Sequence, residues 1–223
     1  MKEWGDSLKR YFALLVCKGV EYKTFVNGDM YDDDELTFEI NGVKICVEFD
    51  GSLYIENFAY YSDEQLSFLT FYQKNDAAFL TNYVFTCFIP VSVVKKETGE
   101  MSKSFLTIVN RHKGAQDNAA THLLQLLNEK SEMEYIDDAV NELQNKLSGR
   151  YCICICGCCK YGQGNPYGGD AYLNYLCFRK NKAKYLQFQA GVGKLDWEFF
   201  TDGKNVEKTR PVYGCEEFLS VVG

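Results

Sequence analysis

LTFEINGVKICVEF (residues 36–49) carries the clearest local instruction in the chain. Asn41-Gly42 suits a two-residue type I′ turn, whose central positions both need positive φ, and apolar residues alternate on either side of it as they do in strands. That register faces Ile40 with Val43, Phe38 with Ile45 and Leu36 with Val47, so one face of the hairpin is wholly apolar. Thr37, Glu39, Lys44 and Glu48 lie on the other face, the division expected of an antiparallel sheet with one wet side.

The same pattern continues outward. A second ribbon reads over residues 82–94 and 104–110, joined by the polar connection KKETGEMSK. Pro90 lacks an amide donor, which places its strand at an edge or a bulge. Aromatic and β-branched runs at 11–17, 20–26, 53–58 and 66–72 bring the total to about seven or eight short strands, as in a sandwich.

Beyond residue 112 the pattern changes. Residues 112–118 are polar and 119–127 are rich in alanine and leucine, which predicts a helix. Ser131-Glu132-Met133-Glu134 fits a capping box opening a second helix. Ile136, Ala139, Val140, Leu143 and Leu147 form its apolar stripe, Asp137, Asp138, Glu142 and Lys146 its charged face, and Gly149 its stop.

At 223 residues the chain can bury a sizeable core without covalent staples. Met1–Arg10 holds no apolar run of signal-peptide length, and nothing later approaches the roughly 18 apolar residues of a membrane span, so a cytoplasmic protein with no membrane partner is expected. The net charge of -7 opposes a phosphate backbone, and no nucleic-acid partner is expected. Acid is concentrated in Asp29, Asp32, Asp33, Asp34 and Glu35. That run lacks the glycine of a calcium loop and reads as a solvated loop.

Six of the ten cysteines fall within residues 152–177. From Tyr151 to Cys156 the alternation places Cys152, Cys154 and Cys156 on one strand face and Ile153 and Ile155 on the other. Cysteine in a strand is ordinarily a small buried hydrophobe, which accounts for Cys152 and Cys154 and for Cys17, Cys46 and Cys87. Cys156-x-x-Cys159 has a different character, because it runs into a glycine-rich turn at the spacing with which two thiolates reach one tetrahedral ion. Cys177 and Cys215 are the candidates to complete a four-cysteine zinc site, and Lys160, Arg179, Lys180, Lys182 and Lys184 would offset its charge. A thioredoxin-like use of Cys156 and Cys159 would need a helix N-terminus to lower the first thiol, and the following Gly162, Gly164, Asn165 and Pro166 do not start one. Gly162-Gln163-Gly164 does not complete a dinucleotide fingerprint. His112 and His122 sit in no hydrolase or deaminase signature, no G-x-S-x-G elbow is present, and a cysteine–histidine pair that meets only in space stays open.

Cys156-x-x-Cys159-x-Tyr161, Asn165-Pro166-Tyr167-Gly168, Cys177-Phe178-Arg179 and Cys215-x-Glu217-Phe218 together resemble an uncharacterised family of cytoplasmic bacterial proteins, a domain of unknown function. Its members look like immunity or accessory proteins of toxin systems. The motifs cover residues 156–218. The resemblance implies that Cys156, Cys159, Cys177 and Cys215 act as one set. The chain departs from the pattern in its extra thiols Cys152, Cys154 and Cys158, and in Gly162 where serine is common, so the choice of ligands stays open.

The expected fold is α+β: an antiparallel β-sandwich-like half over 1–112, then helices and a cysteine-rich, zinc-stabilised region over 113–223, packed as one body. The expected function is a non-enzymatic, immunity-type inhibitor of a cognate toxin, with contacts through Asp32, Asp33, Asp34 and Glu35 or through Asp137, Asp138 and Glu142. The alternatives are a thiol oxidoreductase or metal-handling enzyme using Cys156 and Cys159, and an interaction scaffold unrelated to toxins.

Overall fold

The structure, a computed structural model, describes residues 10–28, 36–47, 52–114, 121–133, 136–155, 158–159, 161–164, 175–192, 199–200, 204 and 206–209. Antiparallel sheet dominates it, with few helices. Strands β1 (Arg10–Cys17), β2 (Val20–Asn27), β3 (Leu36–Ile40), β4 (Val43–Val47), β5 (Leu53–Glu56), β6 (Phe71–Lys74), β7 (Ala77–Leu80), β8 (Tyr83–Lys95), β9 (Met101–His112), β10 (Thr121–Leu126) and β11 (Glu129–Met133) form one sheet in the order β11-β10-β9-β8-β1-β2-β3-β4-β5-β7-β6. A twelfth strand, β12 (Tyr151–Ile153), pairs with the far end of β8.

The opening hairpin forms as its sequence dictates. Leu36 pairs with Val47, Phe38 with Ile45 and Ile40 with Val43, and the turn residues Asn41 and Gly42 adopt φ of 53° and 76°. The long ribbon β8–β9 is also present, from the Tyr83–His112 pair to Val94–Met101. Pro90 occupies a position where its missing amide costs nothing. β1 stops pairing with β8 at Cys87 and β12 begins at Val93, so the proline lies where β8 has a partner on one side only.

This single sheet folds over on itself. In a flat sheet β3 and β8, separated by β1 and β2, would stand roughly 14 Å apart at about 4.8 Å per strand. Instead Phe38 of β3 stacks on Phe85 of β8 with ring centroids 5.2 Å apart. The fold falls at the β2–β3 seam, which has one registered pair, Asn27–Thr37, and a Thr24 hydroxyl donating to the Glu39 carbonyl at 3.1 Å. Phe38, Ile45, Leu53, Ile55 and Leu80 on one side and Leu15, Phe85, Ile89 and Leu106 on the other thereby share one core.

Three stretches differ from expectation. Residues 66–72 begin at the end of a short helix, α1 (Asp63–Leu66), because Ser62 caps the Gln65 amide and the Gln65 side chain returns to the Ser62 amide. Residues 121–126 form a strand and no helix: His122, Leu124 and Leu126 alternate inward, and pairing with β9 and β11 overrides the modest helical preference of leucine. Ser131 is no cap, since it lies inside β11 with its side chain turned into the protein. The second expected helix does form, as α2 (Ile136–Leu147), and its Ala139, Val140, Leu143 and Leu147 cover the inner face of β10–β12.

Candidate functional site

Sheet sidedness decides where the cysteines go. On β8 the odd-numbered residues face the core and the even-numbered ones face away. Because Ile153 pairs with Val93 and Cys152 with Val94, Ile153 points into the core and Cys152 points to the outer face. Cys154 follows on the same side, its amide donating to the Ser92 carbonyl at 2.9 Å. Both are nonetheless buried. Cys158 joins the main core with Ile153 and Ile155, whereas its neighbour Cys159 opens a second core. Cys152 and Cys154 on the outer-face side and Cys159 in the second core are thus all buried.

The second core is aromatic. β13 (Gly162–Gly164), β14 (Tyr175–Cys177) and β15 (Glu207–Thr209) form a small sheet, followed along the chain from β14 by α3 (Lys182–Gln189). Phe178 stacks on Tyr185 at 4.0 Å, with Phe199 parallel at 5.9 Å and Phe200 edge-on at 5.7 Å. Lys184 lies over the Phe199 ring at 4.5 Å and Lys182 over Tyr161 at 5.3 Å, so two of the flanking cations anticipated as a counter-charge serve aromatic rings. Burial pushes the Tyr185 hydroxyl up to about 12, and Gln189 donates to it at 2.6 Å.

Of the four cysteines expected to share an ion, Cys159 and Cys177 are described, and both are buried. Cys177 stands opposite Gly162 in the β13–β14 ladder, on the strand adjoining the segment that carries Cys159. Cys156 and Cys215 lie outside the described residues. Among the described residues no three His, Cys, Asp or Glu side chains are placed to hold a metal. No disulfide joins any two of the eight described cysteines. Burial raises Cys17 to about 11, Cys87 to about 12 and Cys154 to about 11, so these three are protonated at neutral pH.

The acidic candidates separate. Asp32, Asp33, Asp34 and Glu35 lie outside the described residues, as does the side chain of Asp137, and Asp138 is exposed. Glu142 is drawn onto its own protein: Lys146 holds it at 2.7 Å and the buried Ser131 hydroxyl donates to it, which together keep its carboxyl below the usual range. Beside it, Gln144 accepts from the Ile153 amide at 3.1 Å and ties α2 to β12. His122 is buried with its Nδ1 2.8 Å from the Asn110 side-chain oxygen, a cross-strand pair beneath the sheet.

The largest feature that sequence reading missed is the outer face of β2-β1-β8-β9. There Phe25 pairs with Phe12, Phe12 stacks on Phe88 at 5.6 Å, and Phe105 faces Pro90 one step along the sheet. Phe12, Phe25 and Phe105 are 38%, 46% and 61% exposed. Leu14, Val16, Val84 and Val109 extend the apolar surface.

No family model, curated protein or solved structure matches the chain.

Function therefore rests on this geometry. Burial of thiols on both sides of β12 suits packing, and an exposed run of phenylalanines on the solvent side of a sheet suits recognition. The signal for the second was in the sequence as strands apolar on both faces, FALLV in β1 and VFTCFIPV in β8, which a one-sided sheet does not require. No helix among the described residues is long and apolar enough to cross a membrane.

Proposed function

We propose that the protein is a non-enzymatic binding protein, an immunity-type inhibitor that docks on a cognate toxin, and that the outer face of β2-β1-β8-β9 is its docking surface. The observation that carries this reading is the row Phe25–Phe12–Phe88 with Phe105 beside it, held exposed by a sheet whose opposite face already fills the core. Contiguous exposed apolar surface is rare on a soluble protein and marks contact sites, and aromatic side chains dominate the energetics of such contacts. The acidic faces are the weaker candidates, because Glu142 already commits its charge to Lys146 and Ser131.

A structural zinc held by Cys156, Cys159, Cys177 and Cys215 is the second part of the proposal. Its support is the burial of Cys159 and Cys177 on adjoining segments, together with the Cys-x-x-Cys spacing. A stacked aromatic core also organises this region, so the ion would clamp the ends of the segment around that core.

Growth of cells that express a candidate toxin, sought among the reading frames neighbouring this one, tests the inhibitory role. Co-expression of the wild-type chain restores growth, and a Phe25→Ser/Phe105→Ser variant that folds normally does not. Equal rescue by both chains would remove the docking surface from the account, and no rescue by either would remove the toxin.

A further inference from the structure

Charge on the outer face runs opposite to charge on the chain. Registering β2, β1, β8, β9, β10 and β11 side by side places Arg10, Lys23, Lys103, Arg111 and Lys130 on that face, against Glu21 and Glu132. Glu132 is neutralised by Arg111 at 3.3 Å, and Glu21 lies four residues along β2 from Phe25. The cations lie close to the phenylalanines. The Arg10 guanidinium sits 4.9 Å over the Phe25 ring, Lys23 is the next outward residue before Phe25, and Lys103 is the next outward residue before Phe105, donating to Ser92 at 2.8 Å. A protein of net charge -7 thus carries an apolar surface fringed by positive charge.

Resting on the reading of this face as a docking surface, we infer that its partner is an acidic protein segment that presents apolar side chains within a border of carboxylates. Complementary potential is what steers and registers a contact, and the fringe here complements only a negative surface. Single-stranded nucleic acid is also anionic and stacks on aromatic rings, but stacking needs an open ring face. Here Phe12 and Phe88 stack on one another, Phe25 meets Phe12 at a steep angle, and Arg10 lies over Phe25, so several ring faces that bases would need are already taken. The basic fringe also argues against a second copy of the same face, because a two-fold contact would oppose like charges.

The test is a selection of short random peptides on the immobilised full chain, counter-selected against the Phe25→Ser/Phe105→Ser variant. Recovered peptides that combine Asp or Glu with aromatic or branched side chains support the inference. Their affinity should fall about ten-fold or more on Lys23→Glu/Lys103→Glu, and the difference should shrink at high salt. Face-dependent peptides that are neutral or basic would overturn the acidic partner while leaving the docking surface intact. Recovery of no face-dependent peptide would overturn both. An oligothymidylate bound by the wild type and lost in the phenylalanine variant would assign the face to nucleic acid, and a wild-type dimer that the same variant dissolves would assign it to a second copy.

Discussion

Phe38 and Phe105 are both strand phenylalanines, yet they have opposite roles. Phe38 is buried against Phe85, where the sheet closes on itself, and Phe105 is 61% exposed on the far side. A buried phenylalanine removes on the order of 150 Å² from water, worth near 4 kcal/mol at about 25 cal/mol/Å². Loss of the stacked partner adds roughly 1 kcal/mol, so Phe38→Ala should cost about 4 to 5 kcal/mol, a large part of the stability of a domain. Phe38→Leu, which keeps most of the volume, should cost about 1.5 kcal/mol or less and keeps the comparison measurable if the alanine variant unfolds. Phe105→Ala should change stability by less than about 0.5 kcal/mol. Urea titrations followed by circular dichroism give the midpoints and slopes. Equal destabilisation by Phe38→Leu and Phe105→Ala, or a cost at Phe105 above about 2 kcal/mol, would mean that the supposed outer face is itself covered.

Cys17, Cys87 and Cys154 should react with a thiol reagent only on unfolding. At pH 8 a thiol near 11 is about 0.1% thiolate, against roughly a quarter for an ordinary one near 8.5, and burial adds to the protection. Because the folded state holds these protons to about 11 or 12 and the unfolded state releases them near 8.5, stability should fall as pH rises through that window and be unaffected by them below it. A rise in stability above about pH 9 would contradict the raised thiols. Gly42→Ala, at φ of 76°, should cost about 1 to 2 kcal/mol by straining the β3–β4 turn, and an unchanged unfolding midpoint would mean that the turn relaxes freely. Elemental analysis of protein purified without chelator should find one zinc per chain, and Cys177→Ser should lose it. Zinc-free protein with an unchanged melting curve after zinc supplementation would remove the ion from the account.

Legibility followed how local each signal was. Asn41-Gly42 fixes a register on its own, and the stripe of α2 is helical whatever surrounds it. Residues 121–126 mislead because leucine and alanine say little about period, while the inward alternation of His122, Leu124 and Leu126 includes a polar residue that is paired inside, with Asn110 beside its ring nitrogen. Ser131-Glu132-Met133-Glu134 matches the letters of a capping box, yet the serine satisfies Glu142. The real capping box, Ser62 to Gln65, stands just ahead of the run that reads as strand. The docking face was the least legible feature. Phe12, Phe25, Phe88 and Phe105 look like core residues in any window of sequence, and only the folding of the sheet at the β2–β3 seam determines which face is left outside.

Radical footprinting of the chain, free and bound to whichever toxin it proves to neutralise in the growth test, reads that face directly. Phe12, Phe25 and Phe105 should lose reactivity on binding, while Tyr60, 86% exposed in the turn that follows β5, keeps it. Unchanged labelling of the three phenylalanines in a saturated complex would contradict the claim.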